Sequence, residues 1–311
     1  MRDLLLIAGP TASGKSALAT AAARRLDAEI VNADSMQIYA GLPVITAQPG
    51  EAERGGVAHH LFGEIDPAER FTTGRWAEAA LRRIDEIHAR GRRVVLVGGT
   101  GLYFKALTEG LAPAPDIPED ARARARALGQ ARGVDALAAE ARRLDPDAAA
   151  RIDANDRQRL LRVVELGYAG ARLSALQAET APLIAPDSWT GVVIEPEREA
   201  LYARIDQRFA SMVEAGALEE AAAIAARRLD PELPAMKAVG LPPLLAHLNG
   251  EITLDEALET GARDTRRYAK RQYTWFRNQT PDWFRVASLD PDAQREELEP
   301  VLSRIRPDPL Q

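Results

Sequence analysis

Residues 9–16, Gly-Pro-Thr-Ala-Ser-Gly-Lys-Ser, limit the fold of this chain more than any other stretch. A G-x-x-x-x-G-K-[ST] loop works only between a strand and a helix, because its backbone N–H groups must curl around an anion where a helix dipole begins. Both neighbours are present. The apolar run 4–8 has strand character, and residues 16–26 carry a helical pattern. Glycines at each end let the backbone turn inward, Lys15 adds a point charge, and the Ser16 hydroxyl is placed to ligate Mg²⁺. Gly9, Pro10, Thr11, Ala12, Ser13, Gly14, Lys15 and Ser16 are the expected diphosphate- or nucleotide-binding residues, Ser16 the expected metal ligand and Mg²⁺ the expected cofactor. The bland alternative is a glycine-rich turn that matches by chance.

Further strand-like runs occur at 30–33, 94–97 and 192–194, with a fifth expected at 283–286, and a helical pattern covers 75–89. The alternation predicts an α/β fold, a P-loop-type parallel sheet with flanking helices. The proline-rich stretch 111–118 breaks the pattern, since successive prolines continue neither helix nor central strand. Beyond it, 119–180 reads helix after helix. The expected organisation is a core domain of 1–118 and 187–311 carrying an all-helical insertion domain, 119–186. Helical patterns dominate 198–278, and the tail after Leu289 reads as polar and loosely packed.

Composition narrows the function. The chain has no cysteine and four histidines, so disulfides and Cys-ligated zinc are excluded and a structural metal is not expected. No apolar run approaches the roughly 20 residues of a membrane span. The first three residues leave no room for a leader before the first strand, so a cytoplasmic protein is expected, and a monomer. A formal net charge of −6 argues against coating nucleic acid by bulk attraction, though local patches can still bind phosphates.

An ATPase needs an acid at the end of a second strand to position metal. Here the run 94–97 ends in Gly98-Gly99-Thr100-Gly101, without a carboxylate. The well-placed acid is Asp34, at the carboxyl end of 30–33, where ligands gather in open α/β sheets. An Asp before Ser35 is equally suited to capping a following helix.

These residues resemble the tRNA dimethylallyltransferases, bacterial type. Residues 9–16 are similar to that family's G-P-T-A-[SG]-G-K-[ST], residues 34–39 to its D-S-x-Q-x-Y, and His59-His60-Leu61 with Ile65-Asp66-Pro67 to its H-H-L…D-P. Residues 97–103 resemble V-G-G-T-G-L-Y, residues 155–159 N-D-x-x-R, and residues 270–276 K-R-Q-x-T-W-[FL]. Two positions depart from the pattern: Gln48 stands where a lysine is usual, and Leu241 where a tyrosine is.

The resemblance implies transfer of a prenyl group from dimethylallyl diphosphate to the exocyclic amine of the adenosine immediately 3′ of the anticodon, releasing diphosphate. In that reaction Asp34 is the candidate base, Lys15 stabilises the leaving group and Thr100 orients donor or base. It further implies tRNA contacts at Asp34, Ser35, Met36, Gln37, Thr100, Arg122, Gln158, Arg159, Leu160, Leu161, Arg162, Lys237 and Gly240. On the residues alone, Arg263, Arg266, Arg267, Lys270 and Arg271 recur at helical spacing and form one basic stripe, with Tyr268 and Trp275 on a neighbouring face. Such a stripe suits phosphate contacts and base stacking; equally, the aromatics are core and the charges solvated. The rival reading is a P-loop small-molecule kinase with a helical lid, which shares cradle, sheet and insertion but has no use for the late basic helix. A nucleotide-switch protein would need a metal-holding acid that is missing.

Overall fold

In a computed structural model, residues 4–112 and 115–305 are described. Residues 113–114, within the proline-rich stretch, the first three residues and residues 306–311 lie outside them.

Six strands form one sheet: β1 (Leu4–Ala8), β2 (Ala28–Asn32), β3 (His59–His60), β4 (Arg93–Gly98), β5 (Trp189–Ile194) and β6 (Phe284–Val286). Their order is β3-β2-β4-β1-β5-β6, and every pairing is parallel. A parallel sheet is covered on both faces, so its strands read as continuous apolar runs rather than alternating ones. Accordingly all five residues of β1 and of β2 are buried.

The chain divides into two compact units, 1–106 with 184–311, and 107–183. In the sheet unit lie α1 (Lys15–Leu26), α2 (Glu51–Arg54), α3 (Thr73–Ala89) and α4 (Gly101–Thr108), the last running across the division. The other unit holds α5 (Glu119–Leu144), α6 (Pro146–Ala149), α7 (Arg157–Tyr168) and α8 (Leu173–Ala178). The sheet unit resumes with α9 (Arg198–Met212), α10 (Leu218–Ala226), α11 (Leu241–Leu248), α12 (Leu254–Gln279) and α13 (Pro291–Leu302). A π-helical turn, Val213–Ala217, joins α9 to α10. Among the described residues no helix is long and apolar enough to cross a membrane.

The helical unit begins at Leu107 rather than at 119. Its ends are tied by the Leu183 N–H donating to the Leu107 carbonyl at 2.9 Å, and Gly110, at φ 93°, packs against the Ala181 backbone. Gly133, at φ 75°, breaks α5, and Leu137 beyond the break packs on Gly129 before it. Ala125, Leu137, Ala141, Leu160, Val163 and Val164 fill the unit's core.

Residues 290–305, the described part of the tail after Leu289, are not loosely packed. Asp290 caps α13 by accepting from the Asp292 and Ala293 amides, and Pro291 occupies the first turn, where a missing N–H costs nothing. Leu298, Val301, Leu302 and Ile305 fall three, four and seven residues apart, so they form one stripe, and it joins Leu18, Ala22 and Leu26 of α1 in the sheet's core. Each such burial is worth about 1.5–3 kcal/mol. The polar first turns of α13 hid this stripe in the sequence.

Candidate active site

The loop after β1 turns inward through Ala12 at φ 64° and Gly14 at φ 91°, the latter serving as N-cap of α1. Lys15 is buried, its Nζ donating to the Pro10 carbonyl at 3.3 Å. Burial pulls its pKa down to about 8; nearby Asp34 opposes the shift and Arg208 adds to it.

Two distant glutamines hold this loop. Gln272 of α12 accepts from the Thr11 N–H at 2.8 Å and donates to the Gly99 carbonyl at 2.9 Å. Gln294 of α13 donates to the Ser13 and Ser288 carbonyls, both at 2.8 Å. Gln272 falls within the 270–276 segment that resembles K-R-Q-x-T-W-[FL], though nothing there marks it for this role, and Gln294 had no signal beyond being a polar residue in a helix.

Asp34 follows β2 and is 8% exposed. Its Oδ1 accepts from the Met36 N–H at 2.9 Å and the Gln37 N–H at 3.4 Å, so the capping role exists, though it caps a turn and not a helix. Oδ2 lies on the Gly99 side, 3.3 Å from where a Cβ on that glycine would sit. Thr100 Oγ1 accepts from the Ser35 N–H at 2.9 Å and donates to Ser35 Oγ at 3.2 Å. Tyr268 lines the cavity beside these groups, and burial, with the nearby Asp34, raises the pKa of its hydroxyl, so it stays a neutral phenol.

The glycines after β4 are steric requirements. A Cβ at Gly98 would meet the Ala33 backbone, one at Gly99 the Gln272 amide, and one at Gly101 the Trp275 ring. They let the β2 and β4 loops and α12 close around Asp34.

A cavity of about 620 Å³ opens over these groups. Thr11, Lys15, Ser16 and Asp34 lie at its polar end, residues 43–50 form one wall, and Arg204, Ile205, Arg208, Phe209 and Met212 form another. Arg208 is desolvated and stands near Arg204, and both lower its pKa. These arginines were missed in the sequence, although their four-residue spacing on α9 places both on one helix face.

Of the other expected residues, Ser35, Met36, Gln37 and Thr100 gather beside Asp34, with the Gln37 amide donating to the Thr46 and Ala47 carbonyls at 3.0 and 2.8 Å. Lys237 is exposed and paired with Glu232 at 2.9 Å, while Gly240, at φ 96°, is buried at the start of α11. Along α12, Arg267, Lys270 and Arg271 are exposed and Arg266 pairs with Asp206. Of the aromatics, Tyr268 lines the cavity and Trp275 lies against Gly101, both half-buried, with the Arg271 guanidinium 5.6 Å from the Tyr268 ring centre. In the helical unit Gln158 and Arg159 are exposed, Leu161 and Arg162 half-buried, and Arg122 keeps a buried Nε without a partner. Leu160 is core, 1% exposed, and offers no side-chain surface for a contact. Gln48 donates to the Tyr39 carbonyl at 2.8 Å, and Leu241 is buried in the first turn of α11.

Among the described residues no group of three or more His, Asp or Glu could hold a metal alone. The donor set is the Ser16 hydroxyl at a phosphate cradle, which fits Mg²⁺ that keeps waters and takes its remaining ligands from substrate phosphates.

The model of the IPP transferase family matches residues 37–279. The chain belongs to that family. A tRNA dimethylallyltransferase of Maricaulis maris (strain MCS10) is 60% identical over 305 residues, 98% of this chain and 99% of that one. Another, from Caulobacter sp. (strain K31), is 54% identical over 293 residues, 93% and 94% of the two chains. Among solved structures, the tRNA isopentenylpyrophosphate transferase of Bacillus halodurans superposes with a TM-score of 0.69 at 35% identity, covering 98% of this chain and 96% of that one. A eukaryotic dimethylallyltransferase acting on tRNA gives 0.79 at 26% identity, over 100% and 82%. The IPP transferase assignment makes the protein a prenyltransferase and overturns the kinase reading.

Proposed function

We propose that this IPP transferase moves the dimethylallyl group of dimethylallyl diphosphate onto the exocyclic amine of the adenosine immediately 3′ of the anticodon. The observation that carries the reading is the convergence of Lys15, Ser16 and Asp34 on one cavity that also has an apolar wall at Ile205, Phe209 and Met212. Diphosphate fits the first end and a five-carbon chain the second.

The amine is a poor nucleophile because its lone pair is delocalised into the purine, so positioning and charge stabilisation carry the reaction. Asp34 Oδ1 is engaged by two amides, which leaves Oδ2 to take the proton as the carbon–nitrogen bond forms. The loop amides, Lys15, Arg204 and Arg208 receive the charge released when the carbon–oxygen bond breaks. Ser16, together with the diphosphate, would hold Mg²⁺, which would supply further charge neutralisation. No β–γ phosphate bond is split, which accounts for the missing acid after β4. Thr100 fixes the turn that carries Asp34 through its bonds to Ser35. An adenine in a loop must be unstacked to present its amine, and the exposed Arg267, Lys270 and Arg271 suit the phosphates around it.

The test is incubation with Mg²⁺, radiolabelled dimethylallyl diphosphate and an anticodon stem-loop with adenosine 3′ of the anticodon. Label enters the RNA and is lost when that adenosine is replaced. Label that persists after the replacement refutes the acceptor assignment, and no label at all refutes the reaction.

A further inference from the structure

Residues 43–50 form a whole wall of the cavity yet belong to no regular element longer than a turn. The segment closes on itself through Thr46 N–H to the Leu42 carbonyl at 3.0 Å and Gln48 N–H to the Pro43 carbonyl at 2.8 Å. A single turn of this kind leaves its first amides without internal partners. Glu220, in the first turn of α10 and 176 residues from Val44, supplies them: Oε1 accepts from the Val44 N–H at 2.7 Å and Oε2 from the Ile45 N–H at 2.9 Å. On its other side the same turn is held by Gln37, three residues beyond Asp34. The opposite wall is α9 with the kinked turn at Gly216, φ 104°, that leads into α10. Glu220 therefore joins the two walls of the cavity through a two-point carboxylate clamp.

We propose that Glu220 is a positioning residue for prenyl transfer, holding the 43–50 wall at the distance that confines the five-carbon chain of the donor. It touches neither the diphosphate end nor Asp34. The proposal rests on reading this cavity as the donor site. Removing the clamp loosens binding of the chain equally in ground and transition states, which raises KM and spares kcat.

The experiment compares Glu220→Ala and Glu220→Gln with the native protein, measuring donor KM, kcat at saturating RNA, and inhibition by inorganic pyrophosphate, which fills only the phosphate cradle. The expected result is a donor KM raised about tenfold in Glu220→Ala and less in Glu220→Gln, which keeps one acceptor, with kcat within about twofold and the pyrophosphate Ki unchanged. A fall in kcat at constant KM, a pyrophosphate Ki that rises in step with KM, or no change at all overturns the proposal. If Glu220→Ala does not fold, Glu220→Gln decides. In the native protein, pyrophosphate that fails to compete with the donor would instead refute the donor-site reading on which the proposal stands.

Discussion

Gln272 and Thr11, 261 residues apart, are joined by a hydrogen bond of 2.8 Å from the Thr11 amide to the Gln272 side-chain oxygen. The other end of that side chain holds Gly99, so one buried amide group sets the spacing between the phosphate cradle and the loop that flanks Asp34. Replacing it with leucine leaves the Thr11 N–H and the Gly99 carbonyl without partners, at a cost of about 1–3 kcal/mol for each group that water does not reach. Gln272→Leu is expected to lower the urea midpoint and to reduce kcat/KM for the donor. Native kcat/KM at native stability would show the link to be dispensable.

Lys15 is expected to carry the pH dependence of the proposed donor capture. Its pKa near 8 in the ligand-free protein means that the charge is lost as pH rises through that value. Because kcat/KM reports the free enzyme, it should fall above about pH 8, whereas kcat, which reports the complex, should hold to higher pH because the bound anion restores the charge. A kcat/KM profile flat to about pH 10 would place the titration elsewhere.

The same burial makes Lys15 costly to fold. Lowering its pKa from 10.5 to about 8 corresponds to about 3 kcal/mol held against the charged form. Between those values the folded state binds fewer protons than the unfolded chain, so ligand-free stability gains from this group as pH rises from about 8 towards 10.5. At about pH 7 the penalty is present in full. Lys15→Met should therefore melt at a higher temperature than the native protein while losing transfer activity, checked by calorimetry without ligand; a lower melting temperature would contradict it.

Asp34→Asn separates the two jobs of that side chain. The amide oxygen can still accept from Met36 and Gln37, so the turn persists, but no oxygen remains to take a proton. The expected outcome is a kcat reduced by about 10²–10⁴ with donor KM and melting temperature near native. Turnover within about tenfold of native would remove Asp34 from the role of base.

Gly98→Ala is predicted to be far worse than an ordinary glycine replacement. Its Cβ would fall on the Ala33 backbone, which has no flexible end to move aside, and overpacking of this kind costs about 1–3 kcal/mol or more. Gly91→Ala, where nothing lies nearby and only the φ of 71° is strained, is the control. Solubility and melting temperature distinguish the two.

Much of this was legible in the sequence, for reasons that differ by element. β1, β2 and β4 announce themselves as apolar runs because both faces of a parallel sheet are covered, and residues 9–16 because so few loops bind phosphate. β3 is two residues of half-buried histidine and carries no such pattern. The site was legible where its chemistry is local, as at Lys15, Ser16 and Asp34, and illegible where it depends on residues brought from far along the chain. Arg208, Glu220 and Gln294 look like solvated helix residues until the fold turns them inward, and Gln272, though part of a recognisable segment, gives no sign of its partners.

The cradle at residues 9–16 is among the first parts of the chain to be made, yet Gln294, which holds the Ser13 carbonyl, is made 281 residues later. At about 5–20 residues per second, roughly 15–60 s separate the two during translation. For that interval the loop lacks one of its braces, and the nascent chain on the ribosome cannot yet present a finished phosphate site. A chain cut short before Gln294 keeps the whole motif and one brace, Gln272, but lacks the other.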